Sequence, residues 1–269
     1  MKDDISDIKA MYERNPQREE ERLLRHQLEH ELTWRYFDRY LPAQGHILEI
    51  GAASGRYTLD LARRGYRVTA LDLSGTLTAL GRKKAEEAGL AGQVHHLVGD
   101  ARDLCLLEGE RYDAALVMGP LYHVFVESER RTVLRQVFDL LRPGSVLFTA
   151  FISRLGIWGD VMGRQPGLIR DQAVIGGLLE NGQDPPDHIV GEFRGYFATV
   201  EEIAPLHESA GFETLVVAGV EPAVGADDGL YNRLQGRERT LWLDHLYAIS
   251  AKPSIAGASR HLLYIGRKP

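Results

Sequence analysis

After Pro42 the chain falls into strand-sized apolar runs separated by helix-sized segments, and this alternation constrains the fold more than any other feature. The runs are His46–Ile50, Arg67–Leu71, Val94–Val98, Ala114–Met118 and Val146–Ile152, with helical patterning at Tyr57–Arg64, Thr76–Gly89 and Arg130–Leu141 between them. Strands that alternate with helices pair in parallel, and helices then cover both faces of the sheet. That is why the runs are almost wholly apolar instead of alternating apolar with polar. The expected fold class is α/β, a Rossmann-like doubly wound, mostly parallel seven-stranded sheet.

Four regions follow from the same reading. Residues 1–42 form an N-terminal helical cap, in which 17–41 reads as one long amphipathic helix with Leu24, Leu28, Leu32 and Tyr36 at i+4 spacing and Asn15-Pro16 at its start. Residues 43–153 are the core. The alternation then lapses, so 154–198 is an insert or lid on the substrate side, and 199–269 completes the sheet, opening on the capping box Thr199-x-x-Glu202.

Composition narrows the function classes. With 44% hydrophobic and 26% charged residues in 269, the chain is an ordinary globular one, not disordered, collagenous or coiled-coil. A net charge of -6 lacks the basic footprint of a general nucleic-acid binder. Cys105 is the single cysteine, and no Cys/His group has zinc-ligand spacing, so neither disulfide nor metal is expected. Met1–Arg14 lacks the apolar core of a signal peptide and no stretch reaches membrane-span length, so a cytoplasmic protein without a membrane partner is expected.

The strongest local signal is Ile47-Leu48-Glu49-Ile50-Gly51-Ala52-Ala53-Ser54-Gly55-Arg56-Tyr57, a strand running through a glycine turn into a helix. Gly51 and Gly55 let backbone approach a ligand and present amides at a helix start. A plain strand-helix turn is the alternative. Asp72 closes the next run, where a carboxylate can accept two ribose hydroxyls or merely cap a helix, and Asp100 closes the third, placed to meet an adenine amino group. Ala53 stands where a dinucleotide fingerprint wants its second glycine, which favours a cofactor without a pyrophosphate over NAD.

At these residues the chain resembles the class I S-adenosylmethionine-dependent methyltransferases, whose first motif matches Glu49, Gly51 and Gly55. The resemblance implies S-adenosyl-L-methionine as cofactor and S-adenosyl-L-homocysteine as product, with Asp72 on ribose, Leu73 beside it, and Asp100 with Ala101 at adenine. It also places Ala52, Ala53, Met118 and Gly119 around the cofactor. Met118-Gly119-Pro120-Leu121-Tyr122-His123, Leu141-Arg142-Pro143-Gly144-Ser145 and the ending Ser259–Lys268 are similar to a bacterial small-molecule branch of unassigned substrate. Tyr57 and Tyr122 would flank a sulfonium or the substrate, or simply pack, and Tyr12 would close over the cofactor as part of a lid or serve as a hydrophobic staple.

Methyl transfer is an in-line displacement that needs positioning in a dry pocket and, for a hydroxyl or protonated amine, a base. His123, just past the fourth strand, is the candidate; hydrogen bonding to backbone or orienting the cofactor are its other uses. Trp158, Arg194 and Tyr196 are candidate substrate contacts from the insert, with Arg194 as an anion clamp and the aromatics either a pocket wall or the insert's own core. Arg22, Arg25 and His26 read as a solvated helix face. The expected activity is transfer of methyl to O, N or S of a small molecule, with a homodimer admissible. A non-catalytic S-adenosylmethionine-binding module or partner subunit, a transfer-RNA or protein methyltransferase, and a nicotinamide-dependent oxidoreductase on the same sheet are the alternatives.

Overall fold

The computed structural model describes residues 3–14, 16–183, 194–222 and 228–269. Its N-terminal region is α1 (Ser6–Arg14), α2 (Pro16–Arg25) and α3 (Gln27–Tyr40). The core alternates β1 (His46–Ile50), α4 (Arg56–Arg63), β2 (Arg67–Asp72), α5 (Gly75–Glu87), β3 (Val94–Val98), β4 (Tyr112–Val117), the short α6 (Pro120–His123), α7 (Glu127–Leu140) and β5 (Leu141–Ser153). After β5 come α8 (Trp158–Arg164), α9 (Gln172–Asn181) and β6 (Phe197–Ala198). The chain then runs through α10 (Val200–Glu208), β7 (Glu213–Gly219), α11 (Gly229–Asn232), α12 (Gly236–Ser250), α13 (Pro253–Ala258) and β8 (His261–Arg267).

The strands lie in the order β3-β2-β1-β4-β5-β8-β7, parallel from β3 to β5, with β8 antiparallel to both its neighbours. This is the expected seven-strand, mostly parallel sheet, with the two-residue β6 added against the end of β5. Successive residues of one strand point to opposite faces, so each apolar run feeds two cores. Leu48, Ile50, Ala115 and Val117 pack with Val133, Leu134 and Val137 of α7 and Ile203 of α10. On the other face Ile47, Val68, Ala114 and Leu116 pack with Leu28, Leu32 and Phe37 of α3 and Leu61 of α4. Each such buried side chain contributes roughly 1.5–3 kcal/mol, so packing of one stripe, not helix propensity, holds α3 on the sheet.

The cap differs from its sequence reading. The expected helix over 17–41 is broken at His26, whose backbone leaves the helical region with φ -86 and ψ 66. Leu28, Leu32 and Tyr36 are buried as the spacing requires, whereas Leu24 is 70% exposed, because the stripe turns away from the sheet at the break. His26 itself is buried among side chains of Glu221, Asp228 and Arg260, and that tertiary attachment overrides helical continuity. Asn15 lies outside the described residues. The capping box is present: Glu202 Oε2 accepts the Thr199 N–H at 3.0 Å.

The chain goes outward from β1 to β3 and then returns to β4, so the carboxyl ends of β1 and β4 flank a topological switch point. In such sheets ligands bind in the crevice at that point.

Candidate active site

The cleft opens where β1, β2, β3 and β4 end. Helices α1 and α2 cross it as a roof. Gly51, Ala53, Asp72, Leu73, Asp100, Ala101, Met118 and Gly119 line its floor, and Ile5, Ile8, Tyr12, Glu19 and Arg22 descend from the cap. Gly51 has φ +79, and a Cβ there would lie 2.5 Å from Pro120 Cδ, so the turn and its contact with α6 both require glycine. Ala53 also adopts the left-handed region, at φ 48. Asp72 supports that strained turn: Oδ2 accepts the Ala53 N–H at 2.7 Å and Oδ1 accepts the Ser74 N–H at 2.8 Å. Burial raises the Asp72 pKa, and these two amides oppose the shift.

At the far end, His123 is 8% exposed and both of its ring nitrogens are hydrogen-bonded. Nδ1 lies 3.0 Å from the Arg194 carbonyl and Nε2 lies 2.8 Å from the Tyr12 hydroxyl. A carbonyl can only accept, so the ring proton is on Nδ1, Nε2 is the acceptor and the Tyr12 phenol donates. Burial pushes His123 down to about 4, so the ring is neutral. Beside it, Glu19 and Arg22 form a two-bond ion pair, Nε–Oε2 at 2.9 Å and Nη2–Oε1 at 2.7 Å. Burial works against the Arg22 charge, and the Glu19 carboxylate overrides it.

Residues 47–144 match the family described as Methyltransferase domain. A ubiquinone biosynthesis O-methyltransferase of Xanthomonas axonopodis pv. citri is 32% identical over 116 residues, 43% of this chain and 46% of that protein. The tRNA 5-carboxymethoxyuridine methyltransferase of Escherichia coli (strain K12) is 27% identical over 137 residues, 49% and 51% of the two chains. The chain thus spans about half the length of the curated relatives it matches. A solved SAM-dependent methyltransferase from Methanosarcina mazei superposes with a TM-score of 0.57 at 21% identity, over 87% of this chain and 96% of that one, a likeness of fold. Residues 47–144 of this chain carry a methyltransferase domain.

S-adenosylmethionine is the cofactor of that family, and the donor set of this methyltransferase domain fits it. The half-buried Asp72 carboxylate that closes β2 could take a ribose, apolar Leu73, Leu77 and Ala101 could meet a base, and the cleft extends to Tyr122 and His123. Asp100 is more constrained than its sequence position suggests: Arg102 holds both of its carboxylate oxygens, Nε to Oδ1 at 3.1 Å and Nη2 to Oδ2 at 2.8 Å. An adenine amino group there would share an acceptor already in use.

Several expected site residues stand elsewhere. Glu49 is buried beneath the turn, where Thr58 Oγ1 donates to it and burial raises it to about 8; it supports the glycine turn from below. Ala52 and Gly55 belong to the turn but do not line the cleft, and Gly55 instead starts α4 at φ +88. Tyr57 faces the cap, stacked on His30 at 5.2 Å and edge-on to Phe37 at 5.3 Å, because the second residue of α4 points at α3. Trp158 packs with Ile157, Val174, Leu178 and Phe197 in the insert's own small core. Tyr196 lies under the Arg130 guanidinium and donates to Glu202 at 2.7 Å. Arg194 clamps this protein's own cap, at 2.8 Å from Asp7 and 2.6 Å from the Asp4 carbonyl.

Arg22 corrects the reading in the other direction. The solvated face expected for Arg22, Arg25 and His26 is exposed only at Arg25; Arg22 enters the cleft and His26 is buried. Charge periodicity gave no sign of this, because α2 has no sheet beneath it and is fastened by its polar side. Ser54 and Lys84 both bond Glu20 of α2.

Proposed function

We propose that the chain is a methyltransferase acting on the hydroxyl oxygen of a small molecule, and that phenol-like hydroxyls are its class of acceptor. The observation that carries this reading is the phenol already in the site: Tyr12 donates its O–H to Nε2 of a neutral His123 inside the cleft. An acceptor hydroxyl that displaced Tyr12 would find the same nitrogen lone pair, with the ring held in place by the Arg194 carbonyl.

S-adenosylmethionine supplies an electrophilic methyl group on a sulfonium. Asp72 and the Gly51 turn would hold its nucleoside half, and the roof of α1 and α2 would exclude water from the transfer. His123 Nε2 would accept the hydroxyl proton as the oxygen bonds to carbon. A base held near 4 is poorly matched to an aliphatic alcohol and better matched to a phenol, whose pKa is about 10. The ubiquinone biosynthesis relative, an O-methyltransferase by name, supports oxygen as the acceptor atom.

The test has two stages. Calorimetric titration with S-adenosylmethionine, S-adenosylhomocysteine and NADH should give binding of the first two only. Release of S-adenosylhomocysteine is then followed with matched phenols, aliphatic alcohols and amines. Turnover confined to phenols supports the reading, turnover on amines overturns the acceptor class, and binding without turnover on any acceptor leaves a non-catalytic binding module.

A further inference from the structure

A second group of chemistry-bearing side chains gathers where the cap meets the last strands. His26 stands at the break between α2 and α3, Glu29 lies on the first turn of α3, Glu221 follows β7, and Arg260 and His261 open β8. Asp228 joins from the residue before α11, and Asp160 from α8. Glu221 is the centre and its side chain is fully buried. Its Oε1 lies 3.1 Å from His26 Nδ1, and its Oε2 lies 2.5 Å from His261 Nδ1 and 3.0 Å from Arg260 Nε. His261 Nδ1 is also 3.9 Å from Glu29 Oε2. One ligand atom from each of His26, Glu29 and Glu221 lies within 4.8 Å of the other two.

Hydrogen bonding alone serves this arrangement badly. His26 Nδ1 carries at most one proton, yet it is crowded by Glu221 Oε1 at 3.1 Å, Asp228 Oδ2 at 2.7 Å and Arg260 Nη2 at 2.7 Å. Against burial and the Arg260 guanidinium beside it, Asp228 and Glu221 favour the charged ring and raise His26 to about 9. Asp228 is 6% exposed, and neither of its carboxylate oxygens receives a well-directed hydrogen bond. Asp160, Glu221 and Asp228 all pair with the Arg260 guanidinium, while Glu29 faces His261, and Asp160 is also shared by Arg164 at 3.5 Å.

We infer that this cluster binds one divalent transition cation of the zinc or manganese kind, with His26, Glu29, Glu221 and His261 as its ligands. Two imidazoles with two carboxylates suit such ions, whereas magnesium and calcium prefer all-oxygen sets. Arg260 can release Glu221 to the ion without losing its counter-charges, since Asp160 at 3.2 Å and Asp228 at 3.5 Å remain. The ion would staple the cap to the C-terminal strands next to the cleft, because Glu29 already acts electrostatically on Arg22 and Tyr122. Ligands at 26, 29, 221 and 261 have no local spacing, which is why no metal is expected from the sequence.

The test needs no methyl acceptor. The full chain is stripped with chelator, dialysed against Zn²⁺, Mn²⁺ or Mg²⁺ in separate arms, and assayed by elemental analysis, calorimetry and melting temperature. One Zn²⁺ or Mn²⁺ per chain, with a raised melting temperature, is expected. Glu29→Gln and His261→Ala, at partly exposed positions, should keep the native circular dichroism, lose the metal-induced shift and weaken binding about tenfold or more. Retention of no ion, uptake of Mg²⁺ as tight as that of Zn²⁺ and Mn²⁺, or undiminished binding in both variants would each overturn the site.

Discussion

Replacing His123 with Gln tests the central geometry of the cleft through stability, before any acceptor is known. Gln keeps a donor for the Arg194 carbonyl and an acceptor for Tyr12, but it cannot titrate. The unfolded chain protonates His123 near 6.5, while the folded chain resists until about 4. A histidine depressed in this way contributes stability that is whole above 6.5 and is lost as pH falls from 6.5 towards 4. At 1.36 kcal/mol per unit the full loss is about 3 kcal/mol, and about 2 kcal/mol of it has gone by pH 5. Urea denaturation of both proteins at pH 7 and pH 5 isolates this amount, since every other titrating group cancels in the difference. The wild type should lose about 2 kcal/mol more than His123→Gln over that interval, and the His123 ring should stay neutral by NMR at pH 5.5. Equal losses in the two proteins would mean that His123 is hydrated in solution, and with it would go the sealed cleft and the tautomer assigned to Nε2.

Two further substitutions separate ligand contacts from packing. Asp72→Ala removes the carboxylate expected to take two ribose hydroxyls. At about 1.5 kcal/mol or more per charge-assisted bond, calorimetry should show S-adenosylmethionine binding weakened about 100-fold; unchanged affinity would remove Asp72 from the site. Tyr57→Phe should leave that affinity within about twofold, because the ring packs on His30 and Phe37 and does not line the cleft; a tenfold loss would return Tyr57 to the cofactor.

What the sequence disclosed and what it hid divide by range. The sheet was legible because each strand is a local apolar run and each helix a local period; the ends of β1, β2 and β3 fall at the Gly51 turn, Asp72 and Asp100 as those patterns require. The side chains that do something other than expected are governed by partners far along the chain. His26 breaks its helix for Glu221, which is 195 residues away, and Arg194 serves Asp7, which is 187 residues away. Tyr57 failed for a smaller reason, since a strand-turn-helix motif does not say which side of the new helix meets the cap. Asp100 is the case in which a local signal was present, because Arg102 stands two residues on and turns back to hold it.

The two ends of the cleft are therefore not independent. Ile8 and Tyr12 lie on the same short helix, one set against the apolar wall near Leu73 and Leu77 and the other on His123. Arg194 fastens that helix through Asp7 while its own carbonyl fixes the proton on His123 Nδ1. An acceptor reaching Nε2 must first displace Tyr12, and lifting Tyr12 strains the helix that also roofs the cofactor side of the cleft. The segment before α1 is held by the Arg102 guanidinium on the Asp3 carbonyl at 2.7 Å, so on the proposed reading the Tyr12 end would yield first. On the proposed reading this order of yielding would admit an acceptor hydroxyl while the nucleoside side stayed covered, the sequence that a water-sensitive methyl transfer needs.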